Sequence, residues 1–306
     1  MQHSSSIPIR VLTHNIRTKS FPHGQEEAWK IRKDYIINEL HFNTISNQES
    51  IICLQEALYA QLDDILAGLN SLPGRENASW TYVGSGRWGG RLGEHSPILY
   101  RPAIWDAEYS TTRWLSDTPS IPSPSWGTWY NRIATCAIFR HRATNRRILS
   151  MNTHLDDSSI TSRYKGALLI KEWADEWLSD PKWLGAIGGV ILTGDFNTES
   201  HSNGDAYGVL TAPDAFSDTS AHVDRNRRYG NVNSWTDFND DRDDDALYDY
   251  ILVGPVREGM IPWNVQTYGV LFNKFENGDT SSDEKYVFSS DHRSVVADVE
   301  LRSSQS

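Results

Sequence analysis

Asn15, Glu56, His154, Asp195, Asn197, Asp249, Asp291 and His292 each lie at the end of, just beyond or within a short apolar run of the 306-residue chain. They are acids, amides and imidazoles, side chains suited to a hard cation and a phosphate. Mg2+ takes oxygen ligands and keeps several waters, so one or two carboxylates suffice to hold it. Hydrolysis at phosphorus needs an attacking water, a base for its proton and groups that stabilise charge on the phosphoryl oxygens. An imidazole paired with a carboxylate is held in one tautomer and becomes a better proton acceptor. Each residue also has a plainer reading. Asn15 suits a cap or turn, Glu56 suits the start of a helix, and Asp195-Phe196-Asn197 suits a turn. Asp249, inside Leu247-Tyr248-Asp249-Tyr250-Ile251, is harder to dismiss, because an unpaired buried carboxylate is costly. His154 in Met151-Asn152-Thr153-His154-Leu155 poses the same question. Singly, most fit a structural role; together, the functional reading prevails.

The elements that must position these residues are legible as periodicity. Ile7–Thr13 alternates as a strand, and the apolar residues of Glu26–Phe42 (Trp29, Ile36, Ile37, Leu40) share one helical face. Ile51–Gln55 is a short apolar strand. Leu58, Leu62, Ile65, Leu66 and Leu69 predict a second helix, stopped near Pro73-Gly74. Strands follow at Trp80–Gly84, Ser96–Tyr100 and near Trp105–Tyr109, then an ordered loop over Ser116–Pro124. Ile133–Arg140 and Arg147–Thr153 read as a strand pair, Ala167–Leu178 as a helix and Gly189–Thr193 as a buried strand. Beyond lie a short helix near Ala206–Leu210 and strands near Leu247–Val253, Val265–Val270 and Ser294–Leu301. No internal repeat or composition break divides the chain, which reads as one domain over residues 1–306 with its core at about 9–301. Hairpin-like strand pairs favour two sheets packed face to face with helices outside.

Bulk properties narrow the function. Hydrophobic residues make up 38% and charged residues 23%, a globular composition with enough apolar surface for a core. Twelve Trp and thirteen Tyr can fill that core or line a cleft; Trp88, Trp114, Trp126 and Trp129, with Arg87 and Arg91, suit either packing or a pocket wall for a nucleobase or sugar ring. The net charge of −11 argues against a general duplex-DNA binder. Cys53 and Cys136 read as free core thiols. No apolar run reaches membrane-spanning length, and the first residues lack the apolar segment of a signal peptide. Either the protein is intracellular or the chain begins after a removed signal. The acidic run Asp237–Asp245 lacks the spacing of an EF-hand and reads as a solvated loop, with a weak calcium site as the alternative. Asn77 forms a glycosylation sequon of a kind expected by chance.

Taken in order, His14-Asn15, Leu54-Gln55-Glu56, Asn152-Thr153-His154-Leu155, Gly194-Asp195-Phe196-Asn197, Tyr248-Asp249-Tyr250-Ile251 and Ser290-Asp291-His292 resemble the motifs of the endonuclease/exonuclease/phosphatase superfamily, whose type fold is that of deoxyribonuclease I. The resemblance implies a four-layer α/β sandwich, two mixed β-sheets packed face to face with helices outside and the site at one rim. It implies a divalent-metal-dependent phosphoesterase using one or two Mg2+ or Mn2+ ions. Glu56 then corresponds to the metal-binding carboxylate, with Asn15 beside it and Asp291 nearby. Asp195 corresponds to the acid that handles the attacking water, Asn197 to a phosphate-contacting amide, and Asp249 with His292 to a carboxylate–imidazole pair. His154 corresponds to a second catalytic imidazole, supported by Glu94 and either stabilising charge or protonating the leaving oxygen. Arg132 corresponds to a phosphate-binding Arg. Solvated or salt-bridged roles stand as alternatives for Glu94 and Arg132. Gly93–Arg101, Asn152–Asp156 and Trp114-Leu115-Ser116 resemble a microbial and fungal subgroup. Two departures stand out: Ser294 replaces a common Pro, and Arg17 occupies a position where abasic-site endonucleases carry an acid. The implied substrates are phosphate compounds: a small phosphodiester, a sugar phosphate, or single-stranded nucleic acid or RNA ends cleaved by a nuclease or 3'-5' exonuclease. A catalytically silent binding module is the alternative of another class.

Overall fold

A computed structural model describes residues 6–19, 22, 24–72, 79–202, 204–239, 246–277 and 285–303. Asn77 and most of the acidic run lie outside them. In chain order the elements are β1 (Ile7–Asn15), α1 (Trp29–Thr44), β2 (Ile51–Gln55), α2 (Tyr59–Ser71), β3 (Thr81–Val83), β4 (Ile98–Tyr100), β5 (Trp105–Trp114), β6 (Ile133–His141) and β7 (Arg147–His154). Then come α3 (Ile160–Ser179), β8 (Ile187–Asp195), α4 (Ala206–Leu210), β9 (Ser217–Asp218), β10 (Arg228–Gly230), β11 (Asp249–Gly254), β12 (Trp263–Val270), β13 (Lys274–Glu276), β14 (Tyr286–Phe288) and β15 (Val295–Leu301).

Two mixed sheets form the centre. The first has seven strands in the order β10-β12-β15-β1-β2-β4-β3, the second six in the order β5-β6-β7-β8-β11-β9. Three apolar layers hold the stack together. Ile9, Val11, Cys53, Phe139, Ile191, Ile251 and Trp263 pack between the sheets. Leu12, Ile36, Leu40, Leu54 and Leu62 join α1 and α2 to the first sheet. Leu149, Leu192, Ile170, Trp173 and Phe196 join α3 to the second. The inner strands β2, β7 and β8 are therefore covered on both faces, which is why they read as continuous apolar runs and not as alternating ones. Both Cys are buried and free, and burial pushes the Cys53 thiol up to about 12. No helix among the described residues is long and apolar enough to cross a membrane.

Strand direction decides where the polar residues go. β1 and β2 are parallel, and Asn15 pairs in register with Gln55, so both strands end at the same rim. β7 and β8 are parallel as well, with His154 opposite Asp195. β11 runs antiparallel to β8 and begins where β8 ends, with Asp249 opposite Asp195.

Some elements differ from their sequence expectation. α3 starts at Ile160, capped by the Ser159 hydroxyl, which accepts from the Ser162 amide at 3.2 Å. Its first turns bury Ser162 and Arg163 and expose Ile160 and Tyr164, so they carry no apolar stripe. β5 continues to Trp114, past a bulge between Ala107 and Tyr109 that breaks the alternation. The short strands β9, β10, β13 and β14 are too brief for a periodic signal.

Candidate active site

The rim brings Asn15, Glu56, His154, Asp195, Asn197, Asp249, Asp291 and His292 together. Asn15 is the tie between the sheets. Its amide donates to Glu56 Oε1 at 3.1 Å and to Asp195 Oδ2 at 3.0 Å. Its own Oδ1 accepts from the Arg17 amide at 3.0 Å, and the Thr18 amide donates to Glu56 Oε2 at 2.8 Å. The loop after β1 thus wraps the Glu56 carboxylate. Arg17, Glu56 and Asn197 all adopt left-handed backbone conformations, with φ of 57°, 59° and 49°. Non-glycine residues hold such conformations only where the surroundings fix them, and they cluster at functional sites.

Asp195 sits between two imidazoles. Both His154 Nε2 and His292 Nε2 lie 3.6 Å from its Oδ2. His292 Nδ1 bonds Asp249 Oδ2 at 2.7 Å, while the other Asp249 oxygen is buried without a hydrogen-bond partner. The Asn197 amide meets His154 Nε2 at 3.1 Å, and its backbone N–H donates to Asp195 Oδ1 at 3.0 Å. Ser290 locks the next loop in place. Its hydroxyl bonds the Asn15 carbonyl at 2.6 Å and Asp291 Oδ1 at 3.1 Å, and accepts from the His292 amide at 3.2 Å.

Charge is divided unequally among these groups. Burial disfavours a charged His292, but Asp249 and Asp195 outweigh it and hold the imidazole protonated, well above its ordinary range. Burial, then Arg132 and the charged His292, hold His154 neutral. The Asp195 carboxyl is raised, first by burial and then by Asp249, against the pull of His292. Asp291 is raised by burial and by the neighbouring Glu56. Two imidazoles of the same type thus carry opposite protonation preferences.

Behind His292 lies a layer of buried polar groups. His14 Nε2 meets the His292 carbonyl at 3.3 Å, and His14 Nδ1 lies 3.6 Å from Glu39, whose other contact is the Ser294 hydroxyl. Burial lowers His14 to about 4 and raises Glu39 to about 7. Glu39 does not stand out in the sequence of its helix, and His14 stands out only beside Asn15 in the His14-Asn15 motif.

Glu94 and Arg132 both form ion pairs, the salt-bridged alternative held open for Arg132. Glu94 forms its ion pair with Arg87 at 2.8 Å, not with His154. Arg132 is engaged by Asp156 at 3.3 Å and Asp157 at 2.6 Å. Both nonetheless line one hollow with Glu56 and His154. Of the tryptophans, Trp114 is buried and donates to the Arg87 carbonyl, and Trp126 donates to Asp117. Trp88 and Trp129 are exposed.

No protein-family model matches the chain. The uncharacterized protein L388 of Acanthamoeba polyphaga mimivirus is 29% identical over 177 residues, which is 56% of this chain; the match spans 60% of that protein's length. An endonuclease/exonuclease/phosphatase family protein from Bacteroides thetaiotaomicron superposes with a TM-score of 0.82 at 24% identity, covering 97% of this chain and 99% of its own. The chain is a strong structural match to the endonuclease/exonuclease/phosphatase family. The mannosyl-6-phosphatase Bt3783 of Bacteroides thetaiotaomicron VPI-5482 gives a TM-score of 0.78 at 26% identity, covering 95% of this chain and 99% of its own.

The endonuclease/exonuclease/phosphatase family is typically metal-dependent, and two groups at this rim have the donors to hold a cation. Ligand atoms of Asp195, Asp249 and His292 all lie within 4.8 Å of one another. The second group is Glu56 and Asp291, with Asn15 adjoining. It offers only oxygens, and its two carboxylates repel each other. A hard divalent cation fits the second group better. In the first, the short bond to Asp249 occupies His292 Nδ1 and leaves Nε2, with the Asp195 and Asp249 carboxylates, as the donors that could bind a metal.

Proposed function

We propose that this chain is a divalent-metal-dependent phosphoesterase that hydrolyses a phosphoester by in-line attack of water. The observation that carries this reading is Asp195 flanked by two imidazoles at 3.6 Å, one of them fixed by Asp249 at 2.7 Å. Glu56 and Asp291, with Asn15 beside them, would hold Mg2+ or Mn2+. When bound there, the cation supplies charge neutralisation at a phosphate oxygen. Asp195 takes the proton of the attacking water; its raised affinity for a proton suits it to that task. His292, held as an imidazolium by Asp249, donates a hydrogen bond toward the charge that builds on the phosphoryl oxygens. Asn15, Asn197 and Arg132 orient the phosphate. The leaving oxygen departs toward solvent and takes its proton from water, while His154, held neutral, stays out of that transfer. His154 fixes the Asn197 amide and bounds the side of the site toward Glu94.

The net charge of −11 supports a small phosphoester ahead of nucleic acid, because an extended polyanion would be repelled by the body of the protein. The test is hydrolysis of p-nitrophenyl phosphate and bis-p-nitrophenyl phosphate with Mg2+, Mn2+ or EDTA, using wild type and Asp195→Ala. Turnover that requires the metal and falls at least ~10²-fold in the variant is expected. Near-normal turnover by Asp195→Ala would sink the assignment. Metal-independent binding of phosphate compounds without turnover of any ester would favour a silent binding module.

A further inference from the structure

α1 packs on the first sheet through Trp29, Ile36, Ile37 and Leu40, yet two charged residues of the same helix, Arg32 and Glu39, are buried with them. Taking a charge out of water is costly, and apolar side chains of similar size would pack there without that cost. The contacts of the two residues are those of a clamp.

Arg32 is held on its faces and its edges. Its guanidinium lies 5.5 Å from the Trp29 ring centroid and 5.9 Å from that of Phe238. Nη1 donates to the Ile16 carbonyl at 3.0 Å and to the Ser289 carbonyl at 2.8 Å. Nη2 donates to the Arg17 carbonyl and to Glu26 Oε1, both at 3.3 Å, and Nε to the Glu27 carbonyl at 2.9 Å. Every donor of the fork is therefore used. Glu39 makes a second grip. Its Oε1 takes the Ser294 hydroxyl and lies 3.6 Å from His14 Nδ1. His14 Nε2 in turn meets the His292 carbonyl at 3.3 Å. A carbonyl can only accept, so His14 carries its proton on Nε2.

The gripped positions bracket the site. His14 stands before Asn15, and Ile16 and Arg17 after it. Ser289 stands before Ser290-Asp291-His292, and Ser294 two residues after it. One helix thus holds two chain segments, each on both sides of its site residues. The Ser290 hydroxyl ties the two segments together at the Asn15 carbonyl, and the Asn15 amide passes the alignment on to Glu56 and Asp195.

We propose that Arg32 and Glu39 are positioning residues, through which α1 acts as a jig that sets Asn15, Asp291 and His292 against Glu56 and Asp195. That this alignment governs turnover rests on the phosphoesterase reading; the clamp itself does not.

The test reads geometry and turnover separately. The His292 Nδ1 proton, held by Asp249 at 2.7 Å, is expected to give a low-field NMR resonance, identified by its absence from His292→Ala. Arg32→Lys keeps the charge and loses the fork. Glu39→Leu removes the second grip, whereas Glu39→Gln keeps a polar group at both of its contacts. Arg32→Lys and Glu39→Leu are expected to shift or broaden the resonance and to lower kcat for p-nitrophenyl phosphate by roughly tenfold or more, with KM within about threefold, since a displacement of about 1 Å can cost ~10²-fold. Glu39→Gln is expected to keep the resonance and to restore most of kcat. Ser294→Ala deletes one hydroxyl and stands in where a larger change prevents folding; a changed resonance and a severalfold lower kcat are expected of it. Variants that lose stability in urea yet keep the wild-type resonance and kcat overturn the proposal, and Glu39→Gln as impaired as Glu39→Leu overturns the grip of Glu39. If the wild type turns over no ester, the hydrolytic reading falls, and the resonance alone decides the clamp.

Discussion

At the scale of single residues, the site works by giving similar side chains different partners. His292 is pinned between two carboxylates, whereas His154 receives an amide hydrogen bond and faces Arg132. If Asp249 acts only through His292, their losses will not add. His292→Ala is expected to lower kcat at least ~10²-fold, and the double variant His292→Ala/Asp249→Asn should be no slower than His292→Ala alone; additive losses in a double-mutant cycle would give Asp249 a separate task. Asn15 is the other decisive residue. Removing a hydrogen bond to a charged group costs ~1.5–3 kcal/mol. Asn15→Ala is therefore expected to lower kcat/KM by roughly 10- to 100-fold, while a change below threefold would reduce Asn15 to a spacer. Much of this residue set was legible in the sequence, because a carboxylate or imidazole at the end of an apolar strand violates local expectation. The partnerships were not. That Glu94 would turn to Arg87 depends on a loop whose course no periodicity records.

At the scale of elements, the parallel pairs β1–β2 and β7–β8 aim their ends at one rim. Gly194 shows how tightly the second pair is built. Its φ is +155°, and a Cβ there would stand 2.2 Å from the Thr153 carbonyl oxygen. Gly194→Ala must push β8 from β7 one residue before Asp195 and His154. A loss of at least ~2 kcal/mol in stability is expected, with activity falling alongside it; an unchanged denaturant midpoint would refute this. Behind the rim, α1 contributes Glu39, buried against Ser294. Its folded-state carboxyl titrates at about 7, above its ordinary value of 4.5. The unfolded chain gives up this proton first, so the stability held below pH 4.5 is lost as the pH rises toward 7, by about 3 kcal/mol at order of magnitude. Glu39→Gln should flatten the fall in stability between pH 4.5 and 7 in urea melts with EDTA present. An unchanged slope would mean that Glu39 is ionised in the folded protein. The helices and long strands were readable because burial imprints its period on them. The start of α3 was not, since its first turns bury Ser162 and Arg163 where an apolar stripe would be expected.

At the scale of the whole molecule, the protein surrounds a cluster of carboxylates with a body of net charge −11. On the phosphoesterase reading, an anionic substrate would approach against that field. Salt screens the repulsion, with a Debye length of ~10 Å at 0.1 M. Between 50 and 200 mM NaCl, kcat/KM for a phosphomonoester should therefore stay level or rise. A tenfold fall would reveal a basic approach path and return nucleic acid to the leading position. The layered architecture was readable from hairpin-like pairs and buried strands, but the packing of one sheet against the other left no mark in any single segment.

That packing has a consequence for how the protein fails. Glu56 and Asn15 belong to one sheet, His154, Asp195 and Asp249 to the other, and the Asn15 amide is shared by carboxylates of both. On the proposed reading, neither sheet alone carries the site. The site behaves as a coincidence detector for correct assembly: on the hydrolytic reading, a folding intermediate with one sheet formed would be silent until the two faces met.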